Sequence, residues 1–535
     1  MKKILGALLF LISINGILFP QIPAEEAKKA FQNALQANEG FHRCTQYVAS
    51  WMKYADPASG LIPRNIRESS DFWNAWDAAA DNYPFMVLTS AMLQPDFFRT
   101  TALKMLKTER RLTSRLGHLP DTYSFSKKTF LNPLPDTSQI LFGSAEYMKD
   151  GLIPITEWLG KNPWSRRMLE ILDDLPEFTG LKGNISGNWY GNSATIEVNG
   201  DLMQVLARMF WFTGNVDYLN RAIEIAGPYL TEKGLPTRNF ERLRIRDHGC
   251  EIISGIAEVY LTVSYVNPEK RAQWRPLIRE MFDRILEVGR NEDGLFYDEI
   301  NPVTGEILKD RIADNFGYTL NAYWFLSEID SIPEYKMAVR KALNALNEKY
   351  RSFDWENGSA DGFADAIEGA LNLYNREEIP SLGEWLDSEI KNMWAIQKSD
   401  GMVEGWHGDG NFARTSLMYC LWKTRGILPD IWQKDLLLGA VITKNGLCVS
   451  VSAESGWRGT LRFHSPALNT MLPFDYPRIN QFQQWFTINK ADSYQITFSN
   501  KQKPRVILGK KLLSGLMLKL LPGEHLTILI KGYGE

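Results

Sequence analysis

Histidine and cysteine are the scarce residues of this 535-residue chain, with six and four copies. Cys44, Cys250, Cys420 and Cys448 are scattered and form no C-x-x-C pair, which argues against a structural zinc or a dithiol redox site. Three of them, Cys250, Cys420 and Cys448, lie in apolar surroundings and are expected to be buried free thiols. The histidines near loops are too far apart in sequence to argue for metal binding, so no metal is expected. The chain also lacks a G-x-S-x-G elbow, a Walker loop, the Rossmann glycines, H-E-x-x-H and EF-hand spacing. Phosphate- and nucleotide-dependent chemistry is therefore disfavoured and no cofactor is expected. Net charge is −3, so there is no basic excess to hold a nucleic acid.

Long apolar runs are missing as well, except at the start. Lys2 and Lys3 precede an apolar run from Ile4 to Phe19, then Pro, Gln and the acidic pair Glu25–Glu26. That order is the pattern of a secretory leader, and the run is short for a bilayer span. Residues 1–24 are expected to be removed on export to the periplasm or the medium, leaving no membrane span in the mature chain. The oligomeric state is not legible.

Aromatic residues are plentiful: 17 Trp, 20 Tyr and 27 Phe. From Glu25 to about Lys434 the apolar period is helical. Leu202, Val205, Leu206, Met209 and Phe210 share one stripe; Ile253, Ile256, Ala257, Tyr260 and Leu261 share another. Between helices a short loop recurs as GLIPRN, GHLPDT, GLPTRN, GLFYDE and GMVEGW, starting at Gly60, Gly117, Gly234, Gly294 and Gly401. The spacing is 57 residues from Gly60 to Gly117 and 60 from Gly234 to Gly294, one helical hairpin per repeat and six or seven hairpins in all. After Pro429 the texture turns to strands: LCVSVSA, GTLRFHS, SYQITFS, RVILG and HLTILIK, with turns at KNG and LPGE. The expected division is a helical domain over 25–435 and a β-sandwich over 436–535.

Repeated hairpins of this length followed by a β-sandwich resemble the (α/α)-toroid enzymes that act on polysaccharides, the six-hairpin glycosidase-like families and toroid lyases. The resemblance implies a mainly α fold, an (α/α)6-type toroid with a C-terminal antiparallel β-sandwich. It also implies a substrate cleft at one mouth of the ring, lined by loops and the starts of inner helices.

Several segments have residues suited to such a cleft. SSDFWNAWDAAADNYPF holds Trp73, Trp76 and Asp77 within about one turn, stacking faces beside a carboxylate, with Asp81 one turn further on. RLRIRDHGCEIISG places Asp247, His248 and Glu251 at a helix start behind Arg246. KDRIADNFGYTLNAYW brings Asp314, Asn315 and Tyr318 to another, and SADGFADAIEGALNLY sets Asp361, Asp365 and Glu368 on one stripe, a weaker signal. A polar loop over 183–201 carries Trp189 and Tyr190. In DGMVEGWHGDGNFARTSLMYCLW, Trp406, His407 and Asp409 sit on Gly405, Gly408 and Gly410, glycines that allow positive φ and close backbone approach. Arg414 falls in the first turn of the next helix, where a cation opposes the macrodipole, and is expected to pair with Asp409 or an anionic ligand.

The catalytic set is accordingly Asp247 or Glu251 with Asp314 or Asp409, positioned by His248 and His407. Substrate contacts are expected from Trp73, Trp76, Asp77, Trp189, Tyr190, Arg246, Asn315, Tyr318, Trp406 and Arg414. The expected partner is a carbohydrate, with a uronic-acid-containing glycan suggested by Arg246 and Arg414. The expected reaction is glycoside hydrolysis by two carboxylates. The alternatives are β-elimination by a His or Tyr base, and glycan binding without catalysis.

Overall fold

The computed structural model describes residues 22–179, 193–500 and 503–533. Most of the expected leader lies outside these residues, as do Trp189 and Tyr190. Among the described residues, seven helices pack side by side into a closed inner ring. These are α1 (Tyr83–Leu93), α2 (Thr137–Glu146, carried on to Leu159), α3 (Ser193–Thr213), α4 (Glu251–Val266), α5 (Phe316–Asp330), α6 (Ala360–Tyr374) and α7 (Asn411–Thr424). Outer helices lie against them, joined as hairpins, and the main core fills the space between the two shells. The result is a helical toroid with seven hairpins.

The outer helices announce their starts in the sequence. Pro163, Pro268, Pro333 and Pro380 each open one, where the missing amide hydrogen costs nothing. Asn267 caps the second of these, its side chain accepting from the Lys270 amide at 3.0 Å. Inner helices start differently: Cys250, Asn315 and Gly410 precede α4, α5 and α7 without a capping side chain. Close approach within the ring needs glycine; a Cβ on Gly317 of α5 would lie 2.4 Å from Gly369 Cα of α6. The recurring loop has a backbone cause. Gly60, Gly117, Gly294 and Gly401 all adopt positive φ, from 56° to 94°.

Two antiparallel sheets follow. One has five strands, with Leu436–Thr443, Gly446–Ala453, His525–Gly532, Ser493–Phe498 and Arg505–Leu508 in that order; the other has Leu516–Leu520, Trp457–Phe463 and Ile427–Pro429. Alternate residues such as Trp457, Leu461, Leu516 and Leu518 face Val449, Ile496 and Ile528 across a separate core, a sandwich. The strand Ile427–Pro429 comes from before position 436, so the sheet takes a piece of chain from the helical side of the expected division. The first helix, Ala24–Trp51, lies flat on the larger sheet: a Cβ on Gly439 would meet Ala34 N at 2.1 Å.

One stretch belongs to both parts. Between strands Trp457–Phe463 and Ser493–Phe498 the chain enters the ring, and Tyr476, Ile479, Asn480, Gln481 and Gln483 are buried there.

Candidate active site

Inner helices carry polar residues in two layers, one heptad apart. Asp150 and Glu157 of α2, Asp201 and Arg208 of α3, Glu251 and Glu258 of α4, and Asp365 and Asn372 of α6 are each separated by seven residues. Seven residues are two turns, about 10.5 Å of helix. The earlier member of each pair lies in the upper layer and the later in the lower. In α5 the same offset joins Tyr318 to Phe325.

The upper layer surrounds a pocket lined among others by Asp81, Lys149, Asp150, Asp247, Glu251 and Tyr318. Asp361, Asp365, Asn411, Arg414 and Ile479 complete its wall and floor. The pocket opens into a wider outer space of about 1090 Å³ bordered by Trp76, Phe142, Trp406, Asp77 and Asp409. Asp81, Asp247, Asp361 and His407 line both, so they form the waist between the two.

The mouth is built where the ring closes, from the first and last hairpin loops. Asn65 donates to the Trp406 carbonyl at 2.9 Å, and the Ile66 amide donates to Glu404 at 2.5 Å. Arg64 binds Asp77 at 2.5 Å and lies 5.2 Å from the Trp406 ring centre, bracing an indole that is 73% exposed. Trp76 stands beside Phe142, ring centres 6.4 Å apart. Gly408 and Gly410 are in this loop for close approach: added Cβ atoms would fall 2.1 Å from Asn82 Nδ2 and 2.0 Å from Asp81 O. Neither adopts positive φ.

At the waist, His407 Nδ1 faces the Gly408 carbonyl at 3.1 Å and Nε2 points at Asp77 and Asp81, 3.8 and 3.7 Å away. Burial disfavours its charged form, but Asp81 and Asp77 outweigh it and hold the imidazole above its ordinary range. One oxygen each of Asp77 and Asp81 and a ring nitrogen of His407 lie within 4.8 Å of one another. These three groups would also fit a divalent cation. Asp247 has φ 53°, an uncommon backbone for a non-glycine residue, and pairs with Arg244.

Asp361 is a waist carboxyl displaced from its ordinary range. Burial, then Asp365 and Asp409, push it well above the usual carboxylate range, while Asn411 donates to one of its oxygens at 2.7 Å. Asp150 accepts from Lys149 at 2.8 Å and from Asn480 at 2.6 Å. The two acids stand on α6 and on the π-helical turn Tyr147–Leu152 of α2, as far apart around the ring as seven members allow.

Other expected residues are engaged by protein groups of their own. Glu251 is buried, one oxygen taken by Lys149 and the other by Gln204, both at 2.5 Å, which makes it a holder of Lys149. Asp314 lines neither space; it is buried 3.5 Å from Arg246, and burial with nearby Asp365 lifts it to about 7. Asp409 borders the mouth; burial raises it to about 6, against the pull of His407. Arg414 binds Asp365 at 2.7 Å, Glu368 at 2.9 Å and Asn480 at 2.9 Å, and these rather than Asp409 are its partners. Arg246 is held by Glu356, Asp314 and Asp298. Trp73 is a correction: at 2% exposure, in a strand paired with Tyr123, it has no face for a ligand. Asn315 and Tyr318 line the pocket. The His248 side chain lies outside the described residues.

Lys149, Asp150 and Asn480 escaped the sequence reading. A charged Lys-Asp pair inside the apolar run ILFGSAEYMKDGLIPI was the available signal for the first two. Nothing local points to Asn480.

No family model matches the chain, and no curated protein does. Among solved structures it is similar to an inactive variant of an α-1,6-mannanase from Salegentibacter sp. HEL1_6 in complex with α-1,6-mannotetrose. That match has a TM-score of 0.38 and 11% identity, over 72% of this chain and 98% of that one. It is also similar to cellobiose 2-epimerase from Bacillus thermoamylovorans B4167, with a TM-score of 0.37 and 12% identity over 53% of this chain and 86% of that one. A possible member of glycoside hydrolase family 105 from Salmonella enterica matches at a TM-score of 0.36 and 13% identity, over 52% and 81%.

Proposed function

We propose that the protein is an exported glycoside hydrolase in which Asp361 is the general acid and Asp150 the general base. The observation that carries this is the contrast between two carboxyl groups on opposite walls of one pocket. Asp361 is surrounded by burial and like charge, which favour its protonated form, the form that can give a proton to a leaving glycosidic oxygen. Asp150 accepts from an ammonium and an amide, contacts suited to a carboxylate that takes a proton from water. Aromatic faces at the mouth, Trp76 and Trp406, supply stacking surface for sugar rings. Export is supported by the basic-then-apolar start of the chain.

Elimination has less support. Tyr318 donates to Asp365 at 2.8 Å and to Glu368 at 2.7 Å, and burial pushes its hydroxyl far above a useful basicity. Asp81 and Asp77 favour the charged form of His407 over the neutral form a base needs. Arg246 and Arg414, which would neutralise a uronate, are engaged by protein carboxylates. The same two facts favour an uncharged sugar over a uronic acid.

Assay of the full chain against a panel of neutral and uronate-containing polysaccharides tests the reading. Hydrolysis releases new reducing ends without ultraviolet absorbance. Absorbance growing in step with cleavage, the mark of a conjugated double bond, would replace hydrolysis by elimination.

A further inference from the structure

We infer that the protein works from the end of an uncharged glycan, one terminal unit entering a blind pocket whose floor is built by the stretch Asp475–Gln483. The inference rests on the hydrolase reading above and adds where on the chain cleavage falls.

The stretch crosses the whole lumen. Arg478 binds Glu157 of α2 at 2.8 Å, and Arg208 of α3 donates to the Ile479 carbonyl at 2.9 Å. Tyr476 donates to Glu258 of α4 at 3.0 Å and packs on Phe325 of α5, ring centres 5.3 Å apart. Asn372 of α6 donates to the Arg478 carbonyl at 3.0 Å, and Arg414 of α7 donates to Asn480 at 2.9 Å. Six of the seven inner helices are thereby tied to one stretch of chain. Its contacts fall in the lower polar layer, two turns beneath the pocket, except at Asn480, which reaches up to Asp150.

A toroid with an open lumen would let a polymer thread through or lie across both sides of the cleavage point. Here the lower layer is filled by buried ion pairs: Arg208 with Glu258 at 2.6 Å and Arg478 with Glu157. Ile479 presents an apolar side chain as the pocket floor. A glycan entering past Trp76 and Trp406 meets the waist acids and then this floor, so the unit beyond the waist is a terminal one. The wall is rich in carboxyl groups, with Asp81, Asp150, Asp247, Asp361 and Asp365 on it, while Lys149 and Arg414 are already paired. An anionic terminal sugar would meet net negative charge; an uncharged one meets hydrogen-bonding groups.

Two measurements test this. End-labelled ladders of neutral gluco-, manno-, galacto- and xylo-oligosaccharides are followed by chromatography from the earliest turnovers, with cyclic glucans as chains that have no end. Release of a product of one constant size, with cyclic glucans untouched, is expected; internal cleavage giving a spread of sizes, or opening of the rings, overturns the inference. The same ladders are titrated against the Asp361→Asn protein by tryptophan fluorescence, independently of turnover. Affinity should stop rising after the few units that fill pocket and mouth; affinity that keeps climbing with length overturns it. A plateau without cleavage by the unaltered protein would leave the end-binding pocket standing and sink the hydrolase reading. Absence of binding by every open chain would sink both.

Discussion

Asn480 donates its side-chain amide to Asp150 at 2.6 Å across 330 positions of sequence, while its own carbonyl oxygen accepts from Arg414 at 2.9 Å. Its backbone amide donates to Glu368 at 2.5 Å, and its φ is 61°. One residue from the β-domain side of the chain thus fixes the proposed base against the ring.

Asn480→Gly keeps the left-handed backbone and removes only the side chain. It is expected to lower kcat by about 10- to 100-fold, ~1.4–2.7 kcal/mol of barrier, with KM little changed. Asn480→Ala should add a loss of stability from the positive φ. Steady-state kinetics alongside thermal melts check this; full activity in Asn480→Gly would show that Asp150 needs no such support.

The buried Trp73 and the exposed Trp406 should separate cleanly. Trp73→Ala empties a fully buried site and is expected to cost about 3–5 kcal/mol of stability. Trp406→Ala removes a largely exposed indole and should leave the melting temperature near that of the unaltered protein. Its expected effect is a rise in KM or Kd of roughly tenfold, in line with the loss of ~1.4 kcal/mol of stacking. Denaturant melts and oligosaccharide titration distinguish the pair.

Those two residues show what a sequence can convey here. The periodicity of α3 and α4, the Gly-Leu loops and the alternation of the strands each have a local physical cause, so the toroid and the sandwich were legible. The waist residues Asp247 and His407 were legible too, because acids and an imidazole at starts of apolar helices are locally anomalous. Trp73 and Trp76 sit three residues apart and read alike, yet one is core and the other mouth, since strand pairing with Tyr123 turns the first inward. Lys149 and Asp150 lie on a π-helical turn, which shifts side chains off the 3.6-residue stripe used to read faces. Asn480 comes from a stretch with no helical or strand pattern, threaded into a ring that ends some fifty residues earlier. The heptad spacing of Asp150 with Glu157 and of Glu251 with Glu258 was present throughout and marks the two polar layers.

Asp314 should give stability a pH dependence of its own. Its carboxyl stands at about 7 in the folded chain, above the unfolded value of about 3.9. The folded state therefore binds the extra proton, and its contribution is present below the unfolded value and lost as pH rises through the folded one. Stability is expected to fall between about pH 4 and pH 7, by up to ~4 kcal/mol from this group. Asp314→Asn, which cannot ionise, should be less pH-sensitive over that window in urea melts at a series of pH values. An unchanged pH dependence in the variant would place the proton elsewhere.

The division of labour between Asp361 and Asp150 is tested most directly by leaving-group dependence. Both Asp→Asn variants are expected to lose about 10³-fold or more on natural linkages, in proportion to lost acid or base assistance. On aryl glycosides with very good leaving groups, which depart without a proton, Asp361→Asn should recover most of its cleavage rate, whereas Asp150→Asn should stay slow until an external nucleophile such as azide is added. Recovery by Asp150→Asn alone, or equal activity of both variants on every substrate, would contradict the assignment.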